Sequence, residues 1–242
     1  MKTFRRTALM IAVLAAPIPV FADGLIQTLP KDGAKVVYEM KANKSDANSS
    51  RDFTGTISIA SVGTETVDNE KCRWIEIAFT MKFDGKSRKV ISKMLITESD
   101  LGKGKIPLAN IKRAWLKMRD KTEKLEDVFG RKGGPLPAFL PGPLKDVKKS
   151  TNIQIETTAI GRLRYRVLTG KTSYVQGSTD RKDEFKVEYD LRVCKGVPFG
   201  VARAKITIKE YVRKMKLDDT ITLELKLRSV TNNAKSELPN DK

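Results

Sequence analysis

The side chains that could do acid–base chemistry in this 242-residue sequence are carboxylates, because the chain contains no histidine. Glu76, Glu98 and Asp100 could be paired for glycoside cleavage, which needs two carboxyl groups facing each other. Glu76 lies on the polar side of a strand pattern, and the other two lie where a strand runs out into a loop. Solvated acids are the rule at such positions. The sequence therefore predicts no catalytic carboxylate pair.

The lack of histidine also removes the commonest general base and the commonest zinc ligand. Ser-His-Asp triads, Cys-His dyads and HExxH zinc sites are all excluded. The clusters Asp68-Asn69-Glu70 and Asp218-Asp219 offer oxygen ligands, but without EF-hand spacing they are predicted as turns. The sequence favours a binding protein over an enzyme, and it predicts no cofactor and no metal.

Residues 1–22 have the pattern of a cleavable secretory signal, with a basic start, an apolar run and a small residue, Ala22, at the predicted cut. Pro17 and Pro19 interrupt the apolar run, so it is too short for a membrane anchor. The pair Arg5-Arg6 leaves a twin-arginine signal open. We expect a periplasmic or secreted protein with no transmembrane anchor.

The two cysteines, Cys72 and Cys194, would reach an oxidising compartment. A single disulfide between them is predicted, and two separately buried thiols are the alternative. Neither cysteine lies in a CxxC motif or at metal-ligand spacing.

Alternation with a period of two dominates the rest of the chain. Ile75, Ile77 and Phe79 share one side of a predicted strand and Glu76 lies on the other. The turn signal Asp84-Gly85 follows, and then a second alternating run reaches residue 97, which predicts a hairpin. Similar runs before and after this pair give about nine to ten strands. The fold class is mainly β with a helical insertion (α+β), a curled antiparallel sheet or half-barrel.

The stretch 98–149 breaks the strand pattern. Leu108, Ile111, Trp115 and Met118 recur at helical spacing behind Pro107, and a second short helix is predicted over residues 122–129. Four prolines and two glycines then fall among bulky apolar residues between 134 and 143. We expect a helical and Pro-rich lid over the apolar sheet face, within a single domain of residues 23–242 that ends in a polar tail at 231–242.

The first functional hypothesis places an amphiphile, such as a lipid, in a cleft beneath this lid. The predicted lining residues are apolar: Trp115, Leu136, Phe139, Leu140, Ile77 and Phe79. The alternative is that the same residues only complete the core.

A signal peptide, a mature length near 200 residues, a meander of about ten strands and a mid-chain helical insertion together resemble the periplasmic lipoprotein-carrier and lipoprotein-receptor superfamily. The resemblance covers most of residues 33–230 and implies a half-barrel that is closed by helices and holds lipid chains. It is a resemblance of architecture, and no family motif assigns binding residues in this chain.

The second hypothesis is electrostatic, since the formal charge is +18. Arg162, Arg164 and Arg166 alternate along one strand, and further basic residues cluster at Lys205, Lys209 and Arg213. Such a face attracts anionic phospholipids, lipopolysaccharide phosphates or acidic glycans, although it can also serve solubility alone. Nucleic acid is disfavoured by the export signal and by sparse aromatic residues. The leading prediction is an envelope protein that holds an amphiphilic or anionic component in the cleft, and the alternative binds a protein or polyanion on the basic face.

Overall fold

The computed structural model describes residues 26–83, 86–101, 111–118, 121–124, 145–178, 181–212 and 216–238. Within these ranges, no helix is long and apolar enough to cross a membrane. Their regular structure consists of β-strands and two short 3-10 helices, Glu98–Leu101 and Pro198–Gly200.

Twelve antiparallel strands form in the described residues, and several of them are long. In chain order they are β1 Lys35–Asp46, β2 Ser50–Val67, β3 Glu70–Phe83, β4 Lys86–Thr97, β5 Ile111–Met118, β6 Lys121–Lys124, β7 Lys145–Lys149, β8 Gln154–Thr158, β9 Gly161–Ser178, β10 Arg181–Val193, β11 Val201–Val212 and β12 Lys216–Thr231.

The strands follow one another as two meanders that meet in the middle of a single sheet. The order is β6-β5-β4-β3-β2-β1-β12-β11-β10-β9-β7, and β8 pairs with the first part of β9. The chain thus starts at the centre, reaches one edge at β6, resumes at the other edge with β7 and returns to pair β12 with β1. The predicted antiparallel meander is confirmed, as is the hairpin of β3 and β4.

One sheet face carries the main core. In a strand every second side chain points to the same side, and on most strands the apolar side chains occupy the alternate positions that face this side. Val36, Ile59, Ile77, Val187 and Leu225, each from a different strand, belong to a single buried cluster. We call this the inner face and its opposite the outer face.

Tyr38 ties the two meanders together on this side. Its hydroxyl donates a 2.8 Å hydrogen bond to the carbonyl oxygen of Val201, which begins β11. Complete burial raises the pKa of the Tyr38 phenol far above its ordinary value, because the ionised form would lose its hydration. Tyr38 therefore stays neutral and keeps its proton for this bond.

The predicted helical insertion is wrong where the structure describes it. Residues Ile111–Met118 form a strand that pairs with β4, and Lys121–Lys124 form the edge strand beside it. Ile111 and Trp115 are four residues apart, a spacing that fits a helix, but Ala114 and Leu116 also alternate as a half-buried strand does. The edge of β4 favours the strand over the helix. A strand beside β4 pairs with the N–H and C=O groups along that edge, whereas a helix there would leave them without partners.

This segment consequently extends the sheet and does not roof it. Of the rest of the predicted lid, Glu98–Leu101 form a short 3-10 helix and Lys145–Lys149 form the edge strand β7. Leu136, Phe139 and Leu140 lie outside the described residues, as do Pro107, Leu108 and the predicted signal at 1–22.

The two ends of the described chain pack against the sheet at different places. Ile26 joins the inner-face cluster, and the carbonyl oxygen of Pro30 accepts a 3.4 Å hydrogen bond from Arg73. The C-terminal segment, residues 232–238, crosses the outer face of β3 and β4, where Leu238 is buried against Ala78 and Ile91. The predicted polar tail is therefore partly a structural element.

Candidate ligand-binding surfaces

The inner face contains two of the predicted cleft residues. Ile77 and Phe79 lie in the main apolar cluster with 0% and 3% of their surfaces exposed. Both are covered by protein in this structure. Their burial fits a core role and leaves the predicted cleft as a proposal.

Trp115 does not belong to that face. Its neighbours Ala114 and Leu116 point into the inner cluster, so the alternation of β5 sends the Trp115 indole to the outer side. There it packs against the cluster of Trp74 and Leu95 and against Leu238. The prediction that Trp115 lines the same cleft as Ile77 is wrong, because a strand replaces the expected helix.

Glu76 and Glu98 each have structural partners and do not form a pair. Glu76 is 5% exposed on the outer face and accepts hydrogen bonds from Ser236, Glu237 and Leu238. Glu98 instead bonds to Arg73, which lies on the Ile75 side of β3. The described residues also contain no group of three or more side chains suited to hold a metal ion.

Two cations hold the Glu98 carboxylate. Arg73 donates to its Oε1 at 2.6 Å, and Lys71 lies 3.1 Å from its Oε2. Partial burial acts to raise the pKa of Glu98, but the hydrogen bonds from Arg73 and Lys71 and their charges outweigh it and lower the pKa below its ordinary value. Glu98 is thus an ionised anchor for Arg73 and not a proton donor near neutral pH.

The β8–β9 hairpin presents the three predicted arginines together. Arg162, Arg164 and Arg166 alternate on β9, and all three are exposed. Arg164 lies opposite Ile155 of β8, so their side chains share one face of the hairpin. None of these arginines forms an ion pair with any residue that the structure describes.

The basic residues predicted on β11 are in a different position. Lys205 lies 3.8 Å from the carboxylate of Glu224, and Lys209 lies 3.5 Å from that of Glu188. These neighbours partly neutralise the two lysines. Arg213 lies outside the described residues.

The outer sheet face also holds a cleft of about 630 Å³ between β7 and strands β9 to β11. The charged side chains around it balance, since Lys148, Lys171 and Lys205 face Asp146, Glu188 and Asp190. A cleft whose charges balance offers no net attraction for an anion. Among the described basic residues that were predicted as an anion site, Arg162, Arg164 and Arg166 are the ones without an ion-pair partner in the described structure.

The sequence reasoning missed a short stretch of exposed apolar side chains, one of which, Ile155, lies opposite Arg164. Val147, Ile153, Ile155 and Ile160 are exposed, and all fall within the short stretch of β7, β8 and the turn into β9. The signal was present, because Ile153 and Ile155 alternate with polar residues. Alternation alone predicts that the apolar side of such a strand is buried. Only the packing shows that here the apolar side is exposed to solvent.

The predicted disulfide between Cys72 and Cys194 does not form in the structure. Both are buried free thiols. Cys72 packs on the outer face with Trp74, whereas Cys194 belongs to the inner-face cluster. Four strands, β2, β1, β12 and β11, also separate β3 from β10 in the sheet. A disulfide requires Cα atoms within about 7 Å, so the sheet keeps the thiols apart.

No family model and no curated protein match this chain. Solved structures do resemble it. One is a DUF1329 family protein from Desulfovibrio piger, with 8% identity over 91% of this chain and 92% of that one and a TM-score of 0.32. Another is a LolA superfamily protein from Nitrosomonas europaea, with 11% identity over 93% and 94% of the two chains and a TM-score of 0.31.

The second of these belongs to the carrier superfamily that the sequence features resemble. At such identities and TM-scores, the likeness carries no conclusion about a ligand. The function is therefore argued from the residues of this chain.

Proposed function

We propose that the protein is exported and binds an anionic component of the cell envelope through Arg162, Arg164 and Arg166. The observation that supports this proposal is the presence, on one face of the β8–β9 hairpin, of three exposed guanidinium groups that have no ion-pair partner among the described residues. Guanidinium groups bind phosphate with paired hydrogen bonds and stay charged at every physiological pH. A phosphate-bearing lipid head group is the ligand that this arrangement fits.

The hairpin is favoured over Lys205 and Lys209 of β11 because the three arginines have no carboxylate partner among the described residues. Lys205 and Lys209 would have to give up Glu224 and Glu188 before contacting an anion. The three arginines have no such competitor among the described residues, so an incoming anion gains their full attraction. Basic residues near an anionic lipid surface contribute about 1 kcal/mol each.

The test is binding of a short-chain phosphatidylglycerol, kept as monomers, measured by titration calorimetry at several salt concentrations. Replacing Arg162, Arg164 and Arg166 together with Gln should weaken binding by about tenfold or more. The matched control replaces the exposed Lys31, Lys195 and Lys235 with Gln, which removes the same charge elsewhere. Equal losses in the two variants would mean that net charge, and not the hairpin, attracts the lipid.

Export itself is tested by the N-terminus of protein isolated from the envelope. Removal of residues 1–22 should leave Asp23 as the first residue, as mass spectrometry of the intact chain can establish. A chain that retains residues 1–22 would argue against cleavage.

A second candidate function places the acyl chain of an amphiphile against the inner face. It is favoured by the hydroxyl of Ser92, which is buried opposite Ile77 on β4 and has no hydrogen-bond partner in the described structure. A buried hydroxyl without a partner is costly, and a polar ligand atom would relieve that cost. The inner-face residues Ile77 and Phe79 would then contact the apolar part.

Native mass spectrometry of protein purified gently from its own envelope tests this candidate. A co-purifying lipid that is lost in a Ser92→Ala variant of unchanged stability would support it. Repeated preparations without any bound lipid would favour the hairpin as the sole site.

A further inference from the structure

Most of the exposed large apolar side chains that the structure describes fall in one short stretch of the chain. Among the described residues, the exposed large hydrophobic side chains are Val147, Ile153, Ile155, Ile160 and Leu217. All but Leu217 lie between 147 and 160, and Ile155 and Ile153 keep 52% and 48% of their surfaces in solvent. Single exposed apolar residues are ordinary, but a local group of them marks an interaction site.

Strand pairing places this apolar group among positive charges. Ile155 lies directly opposite Arg164, and Arg162 and Arg166 flank that position on the same side of β9. The edge strand β7, with Val147 and the exposed Lys148 and Lys149, pairs further along β9, at residues 168–171. On this face of the hairpin, apolar tips and long cationic side chains are thus mixed.

We propose that the β8–β9 hairpin docks on the surface of an anionic bilayer. Ile153 and Ile155 enter the boundary between head groups and acyl chains, while Arg162, Arg164 and Arg166 bind lipid phosphates. This inference rests on the proposed function and adds to it that the ligand is met in a membrane surface and not as a free molecule.

Charge complementarity selects a membrane over a protein partner. Interfacial segments combine cationic side chains with apolar residues that reach a few ångströms below the head groups. Arginine suits this position, because its stem lies along apolar surface while its guanidinium reaches the phosphate level. The cores of protein interfaces are instead depleted in charged residues.

Co-sedimentation with vesicles tests the proposal. The wild-type protein should bind vesicles that contain phosphatidylglycerol, bind neutral phosphatidylcholine vesicles weakly, and lose binding as salt rises. Replacing Ile153 and Ile155 with Ser should weaken binding to the anionic vesicles by about tenfold or more. The control Leu217→Ser removes an equally exposed apolar side chain from β12 and should change nothing.

The isoleucine and arginine variants separate this proposal from the proposed function. The Ile153→Ser/Ile155→Ser protein should still bind monomeric short-chain phosphatidylglycerol. The triple arginine variant should lose binding both to these monomers and to anionic vesicles. If the isoleucine variant binds anionic vesicles as wild type does, docking is overturned and the anion site stands. If the triple arginine variant still binds the monomers, the proposed function is contradicted, whatever the isoleucine variant does.

A fluorescent reporter measures insertion directly. The added fluorescence of an Ile155→Trp variant should be quenched by brominated phospholipids in anionic vesicles, and that of a Leu217→Trp variant should not, after subtraction of the signal of the wild-type protein. Equal quenching at the two positions would contradict insertion of the hairpin. Loss of self-association in the isoleucine variant, without loss of vesicle binding, would show that the patch joins copies of this chain instead.

Discussion

The hydroxyl of Ser236 donates a 2.7 Å hydrogen bond to the carboxylate of Glu76, 160 positions earlier in the chain. The backbone N–H groups of Glu237 and Leu238 donate to the same carboxylate at 3.0 and 3.3 Å. On β4, directly opposite Glu76, the fully buried Lys93 donates to the carbonyl oxygen of Leu238 at 3.2 Å. The buried side chains of Glu76 and Lys93 therefore hold the C-terminal segment on the outer face.

Glu76→Ala should lower the free energy of unfolding by about 2–4 kcal/mol, since it leaves buried N–H groups without their charged acceptor. Urea denaturation at neutral pH measures the change. The control is Glu39→Ala on β1, where the side chain is exposed, and it should cost less than about 0.5 kcal/mol.

Truncation provides the complementary test of this relationship. In a chain that ends at Lys235, Glu76→Ala should cost much less, because the groups that it binds are absent. An undiminished cost in the truncated chain would show that Glu76 stabilises the fold by some other contact.

The ion pairs of Glu98 should make the free energy of unfolding depend on pH in the acidic range. Its pKa is lowered in the folded protein, so its contribution is complete above the unfolded pKa of about 4.3 and is lost as pH falls through the folded value. At pH 7, Glu98→Gln should be less stable than wild type by about 1 kcal/mol, and this gap should close as both are taken to acidic pH. Thermal melts across the acidic range would contradict the prediction if the gap stayed constant.

Gly55 is required by the close approach of β2 and β3. A Cβ at this position would lie 2.2 Å from the carbonyl oxygen of Thr80 and 3.1 Å from the Cα of Met81, both of which belong to the backbone. Gly55→Ala should therefore cost about 3 kcal/mol or more, seen as a lower melting temperature. Gly196→Ala is the matched control, because the nearest atom to its Cβ would be the Cys194 sulfur at 3.8 Å.

Cys72 and Cys194 should both react as free thiols. Denatured in guanidinium without reductant, the protein should react with two equivalents of a thiol reagent per chain, since Cys72 and Cys194 are separately buried. The melting temperature should also be the same with and without reductant. Reaction only after reduction would contradict the placement of these cysteines on opposite faces.

The sequence predicted the strands because the alternation of side chains depends only on the local geometry of the backbone. The side chains of Ile75, Ile77 and Phe79 had to share one face as soon as that segment was extended, and the turn signal after Phe83 set its partner. The three arginines of β9 were readable in the same way.

The segment around Trp115 shows where such reasoning stops. Apolar residues four apart fit a helix, and the alternation of Ala114 and Leu116 fits a strand, so the sequence did not separate the two. The open edge of β4 decided for the strand, and that edge exists only once the sheet has assembled.

The sequence by itself determined a β-rich, strongly basic chain with an antiparallel meander, because residue type and period act over short distances. The tertiary structure alone decided which polar side chains meet across the chain, such as Glu76 and Ser236, and which apolar ones remain uncovered, such as Ile155. Long-range pairing sets both outcomes. A period of two defines two faces for every strand, but only packing determines which face is buried.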